Sequence, residues 1–204
     1  MRAPTRFFLL LLPLAVLATA CDQGEAEPVK DSGLSEQRQM LSQGYSMLYK
    51  DATGVQYAKL ILLIKAETEA VHEVVTAISD YSKRLEQELE RIAKDYPGVR
   101  IDLDPLPEME KRKRADVNRE RILSFAPVVG RTGGDFERTL LLSLSAVLSQ
   151  ESHLCKVMAE EEPDPGLKKF LLDSKQSFDG LYDRVVKLLN RDYFKGGVSQ
   201  PEQH

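Results

Sequence analysis

From about Val55 to Tyr96 the apolar residues return at helical spacing. Tyr57, Leu60, Ile64, Val71, Val75, Ile78, Leu85, Leu89 and Ile92 fall on one stripe before Pro97-Gly98 interrupts it. A stripe of that length has to be buried against other helices, and the rest of the chain supplies them. From Ser35, Leu34, Leu41, Tyr45 and Leu48 keep to one side of a first helix that Gly54 breaks or weakens. Pro107 to Phe125 reads as a charged helix, and a helix opened by Asp135 runs to about Glu161. In Pro163-Asp164-Pro165 the aspartate is placed to cap and Pro165 to take the first position of a helix over 166–190. The alternation Val99-Arg100-Ile101-Asp102-Leu103 could extend, but it has no partner strand. The spacing therefore predicts an all-α antiparallel bundle of the four-helix type over 35–191, with an extra N-terminal helix and a frayed tail over 192–204. No repeat at a fixed period argues for a solenoid.

The first twenty residues read differently. Arg2 and Arg6 precede the apolar run Phe7 to Leu17, and Ala18, Thr19 and Ala20 follow. Eleven residues are too few to span a membrane, which takes about 20. Positive head, short apolar middle and small-residue end make a secretory signal peptide. Leu17-Ala18-Thr19-Ala20-Cys21 resembles the lipobox of bacterial lipoproteins. That resemblance implies a lipidated Cys21 as the first mature residue and an extracytoplasmic, membrane-tethered chain, on the inner or the outer membrane. Each buried methylene of a lipid adds about 0.8 kcal/mol, so two or more chains hold a protein stably. The stretch 21–34 is acidic, carries Gly, Ser and Pro28, and reads as a flexible tether.

Charge narrows the partners. The full chain has 28 Lys plus Arg against 32 Asp plus Glu, and without residues 1–20 the net charge is −6. That balance disfavours nucleic acid as a partner. Lys111-Arg112-Lys113-Arg114 lies in a segment, Glu108 to Arg121, where six bases face four acids. It reads as solvated or salt-bridged helix surface, with weak contact to anionic headgroups as the exception. Gly130-Arg131-Thr132-Gly133-Gly134 lacks the lysine ending of a phosphate loop and reads as a turn.

Glu160-Glu161-Pro163-Asp164-Pro165 followed by Leu167-Lys168-Lys169-Phe170-Leu171 resembles the helical hairpin of ferritin-like bacterial envelope domains of uncharacterised function. The resemblance implies a ferritin-like bundle. Ferritin-like metal sites use inward glutamates and Glu-x-x-His pairs. One such pair occurs, Glu69 with His72, but at 100° per residue they stand about 160° and 100° from the face centred on Val71. Gln150 replaces the glutamate before His153, which lies about 120° off its own face.

Two other acids interrupt apolar stripes. Glu67 and Glu151 each lie about 40° from a face centre. A buried carboxylate must be paired, protonated or metal-bound. The charged helix offers Arg112, Arg114, Arg119 and Arg121, so a buried Glu–Arg network is expected, with Glu67 and Glu151 meeting Arg114 or Arg121. The alternative is a carboxylate metal site of Glu67, Glu110 and Glu151. Cys155, without an intrachain partner once Cys21 is lipidated, reads as a small buried hydrophobe or as a reactive thiol. Ser152 and His153 diverge by about 100° and cannot act as nucleophile and base together. With no catalytic set and no cofactor indicated, the chain reads as a lipid-anchored envelope bundle with a protein-binding or structural role. The alternative is a ferritin-like metal or redox protein, and a binder of small apolar ligands would need a cavity between helices.

Overall fold

The apolar stripes close on one another in an all-helical bundle. The computed structural model describes residues 35–63, 68–104, 106–125 and 134–194. The helices are α1 (Glu36–Val55), α2 (Glu69–Asp95), α3 (Glu108–Phe125), α4 (Gly134–Glu161) and α5 (Pro165–Asp192), with a 3₁₀ segment at Ala58–Leu63. Local chemistry sets their starts. Ser35 Oγ accepts from the Arg38 amide ahead of α1. Asp164 Oδ1 accepts from the amides of Gly166 and Leu167 at 2.8 and 2.9 Å, with Pro165 at the first helical position.

The stripe over 55–96 does not form one helix. α1 ends at Val55, and the 3₁₀ segment folds back so that the Lys59 amide donates to Ser79 Oγ at 2.9 Å. Tyr57 and Leu60 are exposed, whereas Val71, Val75, Ile78 and Leu89 are fully buried. Helical spacing persists across a reversal because the reversing segment also turns its apolar residues at roughly helical intervals. Only the bundle's length, about 40 Å for the 27 residues of α2, decides where the chain must turn.

Four helices share the core, each packed on two neighbours: α1 on α2 and α4, and α5 on α2 and α4. Polar contacts fix their directions. Tyr49 bonds Glu90 and Thr53 bonds Glu86, which runs α1 against α2. Tyr81 donates to the Ser174 carbonyl and meets Phe178 edge-on, 5.2 Å between centroids, joining α2 to α5. Arg38 meets Glu162 and Gly44 abuts Met158, which runs α1 against α4. Space at Gly44 is tight: a Cβ there would sit 2.7 Å from Met158 Sδ.

The extra helix is therefore not the N-terminal one. α1 buries Leu41, Tyr45 and Leu48 in the core, while α3 stands at the periphery with Met109 and Val117 exposed. The reason lies in composition, since α3 carries charges on every face. Its basic run is laced to acids: Lys111 to Asp104 and Glu108, Arg112 to Glu108, Lys113 and Arg114 to Glu110. The segment after α2 forms no strand among the described residues. Its backbone is held by serines of α1 instead, Ser42 Oγ donating to the Gly98 carbonyl and Ser46 Oγ to that of Arg100. At the C-terminal end Tyr193 donates its hydroxyl proton to Glu137, and residues 195–204 of the expected tail lie outside the described residues.

Candidate functional site, a buried carboxyl pair

Asp51 stands in the last turns of α1 and Glu151 on α4. They meet at a cleft of about 270 Å³ that α3 borders with Glu110, Lys113, Arg114 and Val117, and α4 with Ala146, Val147 and Gln150. Glu151 is 5% exposed, as its position on the helix wheel requires. Its Oε2 has no hydrogen-bond partner among the described residues. Burial pushes its carboxyl up to about 9, the charge of Asp51 and the hydrogen bond shared with Asp51 add to that, and Arg114 opposes it. Glu151 thus keeps its proton at neutral pH.

Among the described residues the neighbour of Glu151 is an acid, Asp51, rather than Arg114. Arg114 Nη1 is 3.9 Å from Asp51 Oδ2, while its Nε bonds Glu110 Oε1 at 3.2 Å. It therefore reaches Glu151 only as a charge acting past Asp51. Glu67 and the side chain of Arg121 lie outside the described residues. Glu110 borders the cleft but is occupied by Lys113 and Arg114. A helix wheel gives the angle of Glu151 correctly and says nothing about which residue of α1 stands at its height. Asp51, half-exposed and near a helix end, carries no signal of its own.

The buried Glu–Arg pair does exist, at the other end of α1. Glu162 is 3% exposed and receives Arg38 Nη1 and Nη2 at 3.0 and 2.8 Å, the Tyr45 hydroxyl at 3.0 Å and the Asp164 amide at 3.1 Å. Burial, then the charge of Glu162, drives the Tyr45 phenol well above its ordinary value. Wheel reasoning misses Glu162 because it lies in the connection between α4 and α5. The usable signal was Tyr45, whose buried hydroxyl needs an acceptor. Glu137, 4% exposed, is a third buried acid, accepting from the Thr68 amide as well as from Tyr193.

Glu69, His72, Gln150 and His153 are all exposed. Ser152 Oγ donates to Asp179 Oδ1 across to α5, and Asp179 is paired with Lys175. Cys155 is fully buried, and burial raises its thiol, with the charges of Glu151 and Asp179 adding. It is the small hydrophobe of the two readings. None of the family models, curated proteins or solved structures compared with this chain matches it.

A proton shared by two carboxyl groups can be exchanged for a cation or passed to a neighbour. Among the described residues no group of three His, Cys, Asp or Glu side chains is arranged to hold a metal ion.

Proposed function

We propose that the chain is a lipid-anchored, extracytoplasmic bundle of the bacterial envelope with a non-enzymatic role, binding another protein or supporting envelope structure. The observation that carries this is the order of segments: a positive head, an apolar run ending at Leu17, Cys21 within its lipobox-like setting, then a spacer of thirteen residues before the bundle opens at Ser35. Such a spacer lets the bundle stand clear of the headgroups on a flexible stem. The tether reading predicts that labelled palmitate enters the full-length chain in a bacterial host and that the chain sediments with membranes. Cys21→Ser should release a folded protein. An unmodified N-terminal segment on intact-mass analysis would overturn the anchor.

The bundle we propose is ferritin-like, with α3 as its single long crossover. Support comes from the antiparallel α1–α2 and α4–α5 pairs and from the long connection between α2 and α4. The second reading, a carboxylate metal or redox protein, is favoured by one observation, the Oε2 of Glu151, which has no hydrogen-bond partner among the described residues. Metal analysis of the purified chain separates the two: one transition metal per chain favours the second.

A further inference from the structure

We propose that the open groove between α1 and α4 binds one soft monovalent metal ion, copper(I) or its analogue silver(I), through the thioether sulfurs of Met40, Met47 and Met158. The chain has five methionines, and three of them line this single cleft of about 270 Å³. Helix register brings them together. α1 and α4 run antiparallel with Gly44 against Met158, whose sulfur would lie 2.7 Å from a Cβ at 44. Met40 comes four residues before Gly44 and Met47 three after it. They stand about 6 and 4.5 Å from it along the axis and within about 20° of each other around it. Both therefore flank, on one side of α1, the height at which the Met158 sulfur sits.

Access and reach suit an ion that enters from solvent. Met40 is 49% exposed and Val157, on the α4 wall, 52% exposed, so the cleft opens outward, with the buried Met158 as its floor. Gly44 lines the cleft between the methionines and puts no side chain in the way. A methionine has three rotatable bonds and a polarizable sulfur, so side chains this far apart along one helix can converge without movement of the backbone.

The donors decide the ion. Thioethers are soft ligands that suit copper(I), whereas calcium and magnesium take oxygen. Neutral sulfurs leave the charge of the ion uncancelled, and the one acid lining the cleft, Glu161, is placed to balance it. Its carboxylate is in no ion pair among the described residues, while the neighbouring Glu160 is 4.0 Å from Lys156. Gln37 donates to the Glu161 carbonyl at 2.8 Å and holds that residue at the rim. Cys155 carries a stronger sulfur donor, but it is fully buried and does not line the cleft. Asp51 and Glu151 are each seven residues away, about 10 Å along the bundle, so this site is separate from the carboxyl pair. The ion enters and leaves as a monovalent cation, and no electron is transferred.

Silver(I) nitrate, which is redox-inert, is titrated into the full-length protein in chloride-free buffer while the methionine ε-methyl resonances are followed by NMR. Those of Met40, Met47 and Met158 should move together and saturate at one ion per chain, and that of Met109, exposed on α3, should stay. Copper(I) is then competed anaerobically against the chromophoric chelator bicinchoninate. Met40→Leu, Met47→Leu and Met158→Leu, which conserve volume, should each weaken copper(I) binding at least tenfold. Glu161→Gln should weaken it by a smaller factor, and Met109→Leu should leave it unchanged. If Met158→Leu fails to fold, the two α1 variants, at partly exposed positions, still decide the result. Static methyl resonances, or methionine variants that bind like the parent, would overturn the proposal. Binding lost in Cys21→Ser or Cys155→Ser but kept in the methionine variants would overturn it in favour of a thiol site, and the same pattern with Glu151→Gln would hand the ion to the carboxyl pair.

Discussion

Arg38 and Glu162, 124 residues apart in sequence, form a two-pronged ion pair that closes the end of the bundle. Both terminal guanidinium nitrogens are used, the carboxylate is excluded from solvent, and Tyr45 supplies a third donor. Removing one partner of such a pair strands a desolvated group. Glu162→Ala should therefore destabilise the bundle by about 3 kcal/mol, and Tyr45→Phe by about 1 kcal/mol. Glu69→Ala, on an exposed surface, should cost about 0.5 kcal/mol or less. Urea melts rank the three. Equal effects at Glu162 and Glu69 would show that the clasp contributes nothing.

Glu151 makes stability fall with pH. Its folded carboxyl is raised from 4.5 to about 9, chiefly by burial. Within that window the folded chain holds a proton that the unfolded chain has released, so unfolding becomes easier as pH rises. The contribution is fully present below pH 4.5 and is lost progressively up to about 9. Glu151→Gln, which is neutral at every pH, should flatten the decline and be more stable than the parent at pH 8. Thermal or urea melts from pH 5 to 9 check this, and a parallel decline in parent and variant would count against it.

Gly44 and Met158 share a space that admits only one of them at full size. A Cβ at 44 would lie 2.7 Å from the Met158 sulfur. Alanine gains about 1 kcal/mol over glycine in a helix, but forcing the packed Met158 side chain aside costs about 1–3 kcal/mol. Gly44→Ala should therefore be destabilising by about 1 kcal/mol in the parent and stabilising once Met158→Ala has opened the site. A double-mutant cycle measures this reversal of sign. Additive effects would mean that the α1–α4 approach is looser than these distances.

α3 should be the first helix to open. None of its described side chains is buried, and it is fixed by ion pairs such as Lys111 with Asp104 at 2.6 Å, both partly exposed. Exposed pairs of this kind contribute about 0–1 kcal/mol and weaken with salt. Amide hydrogen exchange should be faster throughout α3 than in α2 or α5, and faster still at 1 M salt. Protection in α3 equal to that in α2 would refute its peripheral status.

What the sequence by itself determined is everything that depends on angle or on neighbours in the chain. The buried faces of α2 and α4, the outward turn of Glu69, His72 and His153, the inward turn of Glu151 and the Asp164–Pro165 start of α5 all follow from a 100° step and local capping. Tertiary structure alone decided which residues stand at the same height on facing helices. It set Asp51, not Arg114, beside Glu151, matched Arg38 to Glu162, and divided the long stripe between the 3₁₀ segment Ala58–Leu63 and α2. It also left the described side chains of α3 outside the core, although every helix in the sequence competes for the same apolar contacts. The physical reason is that a helix wheel records rotation about an axis and carries no information on translation along it. Axial register is fixed only when side chains of different helices interlock.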